Sequence, residues 1–168
     1  KVFPTKAGSS LPEPQIINFE RRRAFKPRFP VAKPRILIPV FPGTNCEYDS
    51  ARAFQKAGGI VDTIVIRNLT PVDVEQSVFE LVRCIEKAQI IMFPGGFSGG
   101  DEPEGSGKFI AVMFRNPFIK EAVMKFLHEK DGLILGICNG FQALIKLGLV
   151  PYGEIRDLTE DSPTLTFN

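Results

Sequence analysis

Short apolar runs alternate with helical segments along this chain, and that alternation predicts an α/β fold: a three-layer sandwich built on a mostly parallel sheet. Two further observations agree. The apolar runs at 35–40, 60–66, 90–93 and 133–137 are strand-length and rich in Ile, Leu and Val. The sequence is also least ordinary just after these runs, where function sits in such sheets.

The elements follow in order. Arg35–Val40 is a short apolar run and reads as a buried strand. Tyr48–Ala57 reads as a helix stopped by Gly58 and Gly59. Ile60–Ile66 is β-branched and reads as a second strand. Thr70 then offers an N-cap, Pro71 suits the first helical position, and Asp73 falls in the first turn. Val74, Val78, Leu81, Val82 and Ile85 follow at helical spacing and form one apolar stripe. Ile90–Phe93 is the third strand, and a Gly-rich loop runs from Pro94 to Gly107. Helical segments come next, with a cap and restart at Asn116–Pro117. Leu133–Ile137 reads as another buried strand, and Phe141–Leu147 as a helix ending at Gly148. A parallel sheet of these strands is expected to be covered on both faces. Three loops then share its carboxyl edge: Phe41–Glu47, Pro94–Gly107 and Cys138–Gly140.

Residues 1–34 differ from the rest. Pro4, Pro12, Pro14, Pro27, Pro30 and Pro34 remove backbone donors and bias their predecessors toward extended geometry. This stretch reads as a connector from another domain, and 35–168 as the domain proper. Arg21, Arg22, Arg23, Lys26 and Arg28 make the connector basic, and we read them as a solvated face rather than a docking surface. With 168 residues, 43% of them apolar, the chain suits one domain plus an extension. A net charge of +2 gives no global case for nucleic acid or a membrane surface as partner. No apolar run approaches a membrane span, and the polar start broken by Pro4 predicts no signal peptide. Three cysteines without metal-like spacing predict a reducing, cytoplasmic compartment.

Gly136-Ile137-Cys138-Asn139-Gly140 follows an apolar run and precedes a helix, the setting in which a nucleophile elbow forms. The glycines allow a sharp turn with the nucleophile strained, and the helix N-terminus faces the sulfur and favours thiolate. A thiolate attacking a carbonyl needs an oxyanion hole. The Asn139 N–H is one candidate donor, and the loop Gly95-Gly96-Phe97 after a neighbouring strand is the other. Phosphate-binding readings fail. Gly107-Lys108 is followed by Phe109 rather than Ser or Thr, Glu102 stands where a P-loop has Gly, and no G-x-G-x-x-G follows the first strand.

Taken together, these residues resemble the class I (triad) glutamine amidotransferases, whose elbow G-x-C-x-G-x-Q here reads GICNGFQ, residues 136–142. FPGTNCEYD (41–49), FPGGFSGGDE (93–102) and GICNGFQALIKLGLVP (136–151) resemble more narrowly the amidotransferase portion of the phosphoribosylformylglycinamidine synthase family. The resemblance covers about residues 34–168 and implies a flavodoxin-like sandwich. It implies that Cys138 attacks the side-chain amide of glutamine, with Gln142 helping to bind that substrate. Ammonia would then pass to a synthetase domain or subunit, where formylglycinamide ribonucleotide becomes formylglycinamidine ribonucleotide. ATP and magnesium belong to that portion, and no cofactor is expected in this one.

One departure stands out. A cysteine amidase needs a base and a group to orient it, and the family places His and Glu well beyond the elbow. The one histidine here, His128, precedes Cys138 and ends the helix feeding strand 133–137. That places it at the amino edge, roughly 16 Å away along a strand of about 3.3 Å per residue. We read it as a solvated helix-end residue. Thr164–Asn168 reads as the strand before the missing His region, so we expect a piece of a larger polypeptide. Cys84 reads as a small core residue. Cys46 reads as structural, with a substrate-pocket role as the alternative, and Asp101, Glu102 and Glu104 as a solvated acidic loop. Two other functions compete: a stand-alone DJ-1-like cysteine hydrolase, and a non-catalytic interaction domain. Gln142 and the FPGGFSGGDE loop favour the amidotransferase.

Overall fold

The computed structural model describes residues 27–96 and 107–165. Residues 1–26 of the connector, with Arg21, Arg22, Arg23 and Lys26, lie outside the described residues, as do Phe97, the acidic positions Asp101, Glu102 and Glu104, and residues 166–168. Of the strand expected at the end, Thr164 and Leu165 are described and belong to no strand.

The strands are β1 (Arg35–Val40), β2 (Ile60–Val65), β3 (Ile90–Phe93) and β4 (Leu133–Gly136). The helices are α1 (Glu47–Lys56), α2 (Pro71–Ile85), α3 (Lys108–Phe114), α4 (Pro117–Lys130), α5 (Asn139–Leu147) and the short α6 (Leu149–Tyr152). The four strands and helices α1 to α5 agree with the sequence reading, with ends that move by a residue or two, while α6 is additional to that reading. The strands form one parallel sheet in the order β2-β1-β3-β4. Chain direction around the sheet reverses between β1 and β3, because β1 crosses to β2 on one side and β3 to β4 on the other. The β1–β3 ladder holds Ile36↔Ile90 and Leu37↔Ile91, then stops before Pro39, which has no N–H to give. A crevice at the carboxyl ends of the strands is expected at such a reversal.

Local chemistry sets several helix starts. At α2 the Asp73 N–H donates to Thr70 Oγ1 at 3.1 Å, and the Thr70 N–H donates to Asp73 Oδ2 at 3.1 Å. This is the reciprocal capping box, with Pro71 at the first position where no donor is needed. At α4 the Asn116 side chain accepts from the Phe118 N–H at 3.0 Å, again ahead of a proline.

The layers are unequal. On one face Leu37, Ile91 and Phe93 pack with Leu81 and Ile85 of α2, Phe114 of α3, Val123 and Phe126 of α4, and Leu144 and Leu147 of α5. On the other, Ile36, Ile38 and Met92 pack with Ala51 and Phe54 of α1. Helix α1 contacts β1 and β2. Here the structure corrects an expectation. Strand 133–137 is not buried on both sides: Leu133 and Leu135 are 64% and 43% exposed, and Ile137 just beyond is 52% exposed. Alternate side chains of a strand face opposite sides. Ile134 therefore joins the large core, while Leu133 and Leu135 face the side on which α1 packs chiefly against β1 and β2. An apolar run of four residues says that a strand is apolar, not how many of its faces receive a helix.

Candidate active site

Phe41 directly follows β1 and Phe93 ends β3, and both are buried. Phe93 meets Phe114 edge-on with centroids 4.8 Å apart, and Phe41 meets Phe109 at 5.8 Å. Such edge-to-face pairs add about 0.5–1.5 kcal/mol beyond their buried area. They make a firm floor beneath the loops of the carboxyl edge.

Above that floor, β4 turns into α5 through Cys138. Its backbone has φ 53° and ψ −115°, a left-handed conformation rare for a residue with a side chain. Strain of this kind costs about 1–3 kcal/mol and persists only where the surroundings enforce it. The enforcement is visible at Gly140. A Cβ there would stand 2.2 Å from the Phe93 carbonyl oxygen and 2.7 Å from the Phe93 Cβ. With no side chain at 140, the first turn of α5 presses on the end of β3. Ala143, Leu144 and Leu147 are buried behind it. The sequence expectation of a strained elbow held by glycines agrees with this geometry.

Cys138 is exposed and precedes the first residue of α5, and its own side chain makes no capping bond. Asn139 is buried at the helix start. Gln142 is half-buried one turn later, where its N–H donates to the Cys138 carbonyl at 3.0 Å. Residues four apart share a helix face, so Gln142 stands on the side of Cys138.

The structure brings the Gly-rich loop to the same place. A Cβ on Gly95 would lie 3.2 Å from the Cys138 Cβ, so the two backbones run against each other. Gly96 has φ 116° and forms an isolated antiparallel bridge with Thr44. A Cβ on Gly96 would meet the Asn45 nitrogen and the Gly43 oxygen, each at 2.8 Å. The β1–α1 loop therefore clasps the oxyanion candidates Gly95 and Gly96. Thr44 closes its own turn, donating its N–H to the Phe41 carbonyl at 2.9 Å and accepting the Phe41 N–H on Oγ1 at 3.2 Å. Sequence alone gives Thr44 and Asn45 no role of their own: it puts their loop at this edge, but a bridge to a residue so distant in sequence leaves no local signal.

The other residues separate cleanly. His128 lies exposed in the last turn of α4, ahead of β4, while Cys138 follows β4; the sheet stands between them. Cys84 is half-buried against the core, and burial pushes its thiol above the usual range, with Asp62 and Glu80 adding to the shift. Cys46 caps no bond of α1 with its side chain but lies at the site: its Sγ is 3.6 Å from the Gly95 Cβ position. A cavity of about 350 Å³ lined by Phe29, Gln89 and Lys130 lies at the amino edge. Another of about 460 Å³ runs between α2 and α4. Among the described residues no group of three or more His, Cys, Asp or Glu is placed to hold a metal ion, and no helix is long and apolar enough to cross a membrane.

This arrangement can do one kind of chemistry well. A thiol on a strained turn, beside the start of a helix and against a glycine backbone, can attack a carbonyl and have the resulting oxyanion received by backbone N–H groups. Comparison with known proteins gives the family. A family model, the CobB/CobQ-like glutamine amidotransferase domain, matches residues 33–168. Phosphoribosylformylglycinamidine synthase subunit PurQ of Dehalococcoides mccartyi is 39% identical over 127 residues, 76% of this chain and 45% of that protein. The subunit of the same name from Methanococcus maripaludis is 40% identical over 126 residues, 72% of this chain and 42% of that protein. The chain thus spans just under half the length of these relatives. A solved structure of PurLQS from Thermotoga maritima is also similar, with 31% identity, a TM-score of 0.48, and coverage of 70% of this chain and 45% of that one. This chain belongs to the family of CobB/CobQ-like glutamine amidotransferase domains.

Proposed function

We propose that this chain is the glutaminase part of a phosphoribosylformylglycinamidine synthase and that Cys138 is its nucleophile. The observation that carries the proposal is Cys138 itself: exposed, at φ 53° ahead of α5, and packed against Gly95 in a chain of this family. The Cys138 sulfur attacks the side-chain amide carbon of glutamine. The oxyanion so formed is received by the Asn139 N–H and by the loop Gly95-Gly96-Phe97, of which Gly95 and Gly96 are described. The C–N bond breaks as the nitrogen takes a proton, ammonia leaves, and water resolves the thioester to glutamate. Gln142 binds the substrate from the face it shares with Cys138. Ammonia goes to a synthetase domain or subunit in the cytoplasm, and ATP and magnesium act there.

His128, the one histidine of the chain, is not the general base, because it stands at the opposite edge of the sheet from Cys138. General acid–base help is typically worth 100- to 10,000-fold, so the chain alone is expected to release little or no glutamate. The test uses the complete enzyme. A glutamine-like chloroketone is expected to label Cys138, and labelling chiefly at Cys46 or Cys84 overturns the assignment. Cys138→Ala is expected to abolish synthesis from glutamine and preserve synthesis from ammonia; equal loss of both argues against separate sites. Gln142→Ala is expected to weaken glutamine use by about 1–3 kcal/mol, the cost of one lost buried hydrogen bond. Unchanged glutamine kinetics removes Gln142 from the site.

A further inference from the structure

Two thiols border one small space at the carboxyl edge. The point where a side chain on Gly95 would begin is 3.2 Å from the Cys138 Cβ and 3.6 Å from the Cys46 Sγ. Gly95 has no side chain, so nothing on that residue separates them. Both cysteines are exposed and free, and each immediately precedes a helix, α1 or α5. Cys46 is held toward the site by its loop, through the Thr44–Gly96 bridge. Its Sγ donates to the Asn45 Oδ1 at 3.3 Å, a weak and exposed bond that a side-chain rotation breaks. The third cysteine, Cys84, belongs to α2, whose apolar stripe packs into the core away from this edge.

A reactive cysteine open to solvent is vulnerable to hydroperoxides, which carry it through the sulfenic acid to irreversible sulfinic and sulfonic acids. A second thiol within reach diverts the sulfenic acid into a disulfide instead. We propose that Cys46 is the resolving thiol of Cys138, closing a reversible Cys46–Cys138 disulfide that shuts the site under peroxide and protects the nucleophile. This rests on the reading of Cys138 as the reactive cysteine. In the first step the Cys138 sulfur attacks one oxygen of hydrogen peroxide. The O–O bond breaks, the second oxygen leaves as water once protonated, and Cys138 becomes a sulfenic acid. In the second, the Cys46 sulfur attacks the Cys138 sulfur, the S–S bond forms, the S–O bond breaks, and the Cys46 proton leaves with the hydroxyl as water. Two thiols and one peroxide give one disulfide and two waters. The bond consumes the attacking sulfur and fills the space over Gly95. It needs a Cβ–Cβ separation of roughly 3.5–4.5 Å, so closure draws on movement of the loop that carries Cys46 as well as on rotation of its sulfur.

The experiment treats the purified protein with a few equivalents of hydrogen peroxide and maps its peptides without reduction. A Cys46–Cys138 linked peptide is expected, and dithiothreitol is expected to restore chloroketone labelling of Cys138 in full. In Cys46→Ser the same dose is expected to leave Cys138 as sulfinic acid, with labelling restored several-fold less. Cys84→Ser is expected to behave as the unmodified protein. Dimedone capture of a Cys138 sulfenic acid with no linked peptide overturns the inference and leaves the nucleophile standing. A disulfide to Cys84 overturns it too. Failure of both peroxide and chloroketone to modify Cys138 overturns the inference together with the functional reading beneath it.

Discussion

Helices α2 and α5 both begin after a strand at the carboxyl edge of the sheet, and they begin in opposite ways. At α2 the preceding residue, Thr70, is relaxed and extended (φ −131°, ψ 158°), and Thr70 and Asp73 exchange hydrogen bonds that satisfy two backbone donors. At α5 the preceding residue, Cys138, is left-handed, and its side chain caps nothing. The first start is stabilised by its own four residues. The second is held from outside, by the fit of Gly140 against Phe93 and by the buried residues of α5. A helix end closed by its own side chain has its donors occupied; one that its own N-cap side chain leaves uncapped depends on other groups to offset its positive end. The comparison teaches that local satisfaction marks scaffold, and local strain held by distant packing marks the place where chemistry is proposed.

The largest effect should come from the outside support. Gly140→Ala places a carbon 2.2 Å from the Phe93 carbonyl oxygen, in backbone that cannot swing aside. Overpacking of this kind costs about 1–3 kcal/mol, occasionally more, and outweighs the better helix propensity of alanine. Urea denaturation should show a clearly lowered midpoint; an unchanged one means that α5 does not rest on β3 as described.

A smaller effect tests the strain directly. Cys138→Gly relieves a left-handed conformation that Cys138→Ala retains. The glycine variant should therefore be the more stable of the two by up to about 1–3 kcal/mol, less what glycine loses through its freer unfolded chain. Equal stability of the pair in the same denaturation experiment removes the strain from the account.

The smallest effect belongs to the closed helix start. Thr70→Ala should cost about 1 kcal/mol, the usual value for a lost N-cap, and should leave the rate of Cys138 alkylation unchanged, since α2 starts elsewhere along the edge. A change in that rate comparable to the change in stability would show that the two helix starts are coupled.

How legible these features were from sequence follows from how far each depends on distant residues. The Thr70-Pro71-Asp73 start and the Asn116–Pro117 restart were readable because capping partners lie within three residues of each other. The strand and helix order was readable from apolar spacing, and Gly136, Cys138 and Gly140 from their place between an apolar run and a helix. The exposure of Leu133 and Leu135 was not, because it depends on where α1 lies and not on the residues of β4.

The sequence by itself thus determined the α/β class, the parallel order of elements, the elbow at Cys138, and the placing of His128 at the wrong edge. Each rests on periodicity, caps or chain order within short windows. Only the tertiary structure decided that Gly95 lies against Cys138, that Thr44 bridges Gly96, and that the Cys46 sulfur borders the same space. These contacts join loops far apart in the chain, brought to one edge by the crossovers between β1 and β4, and no local pattern in any one loop carries the position of the others.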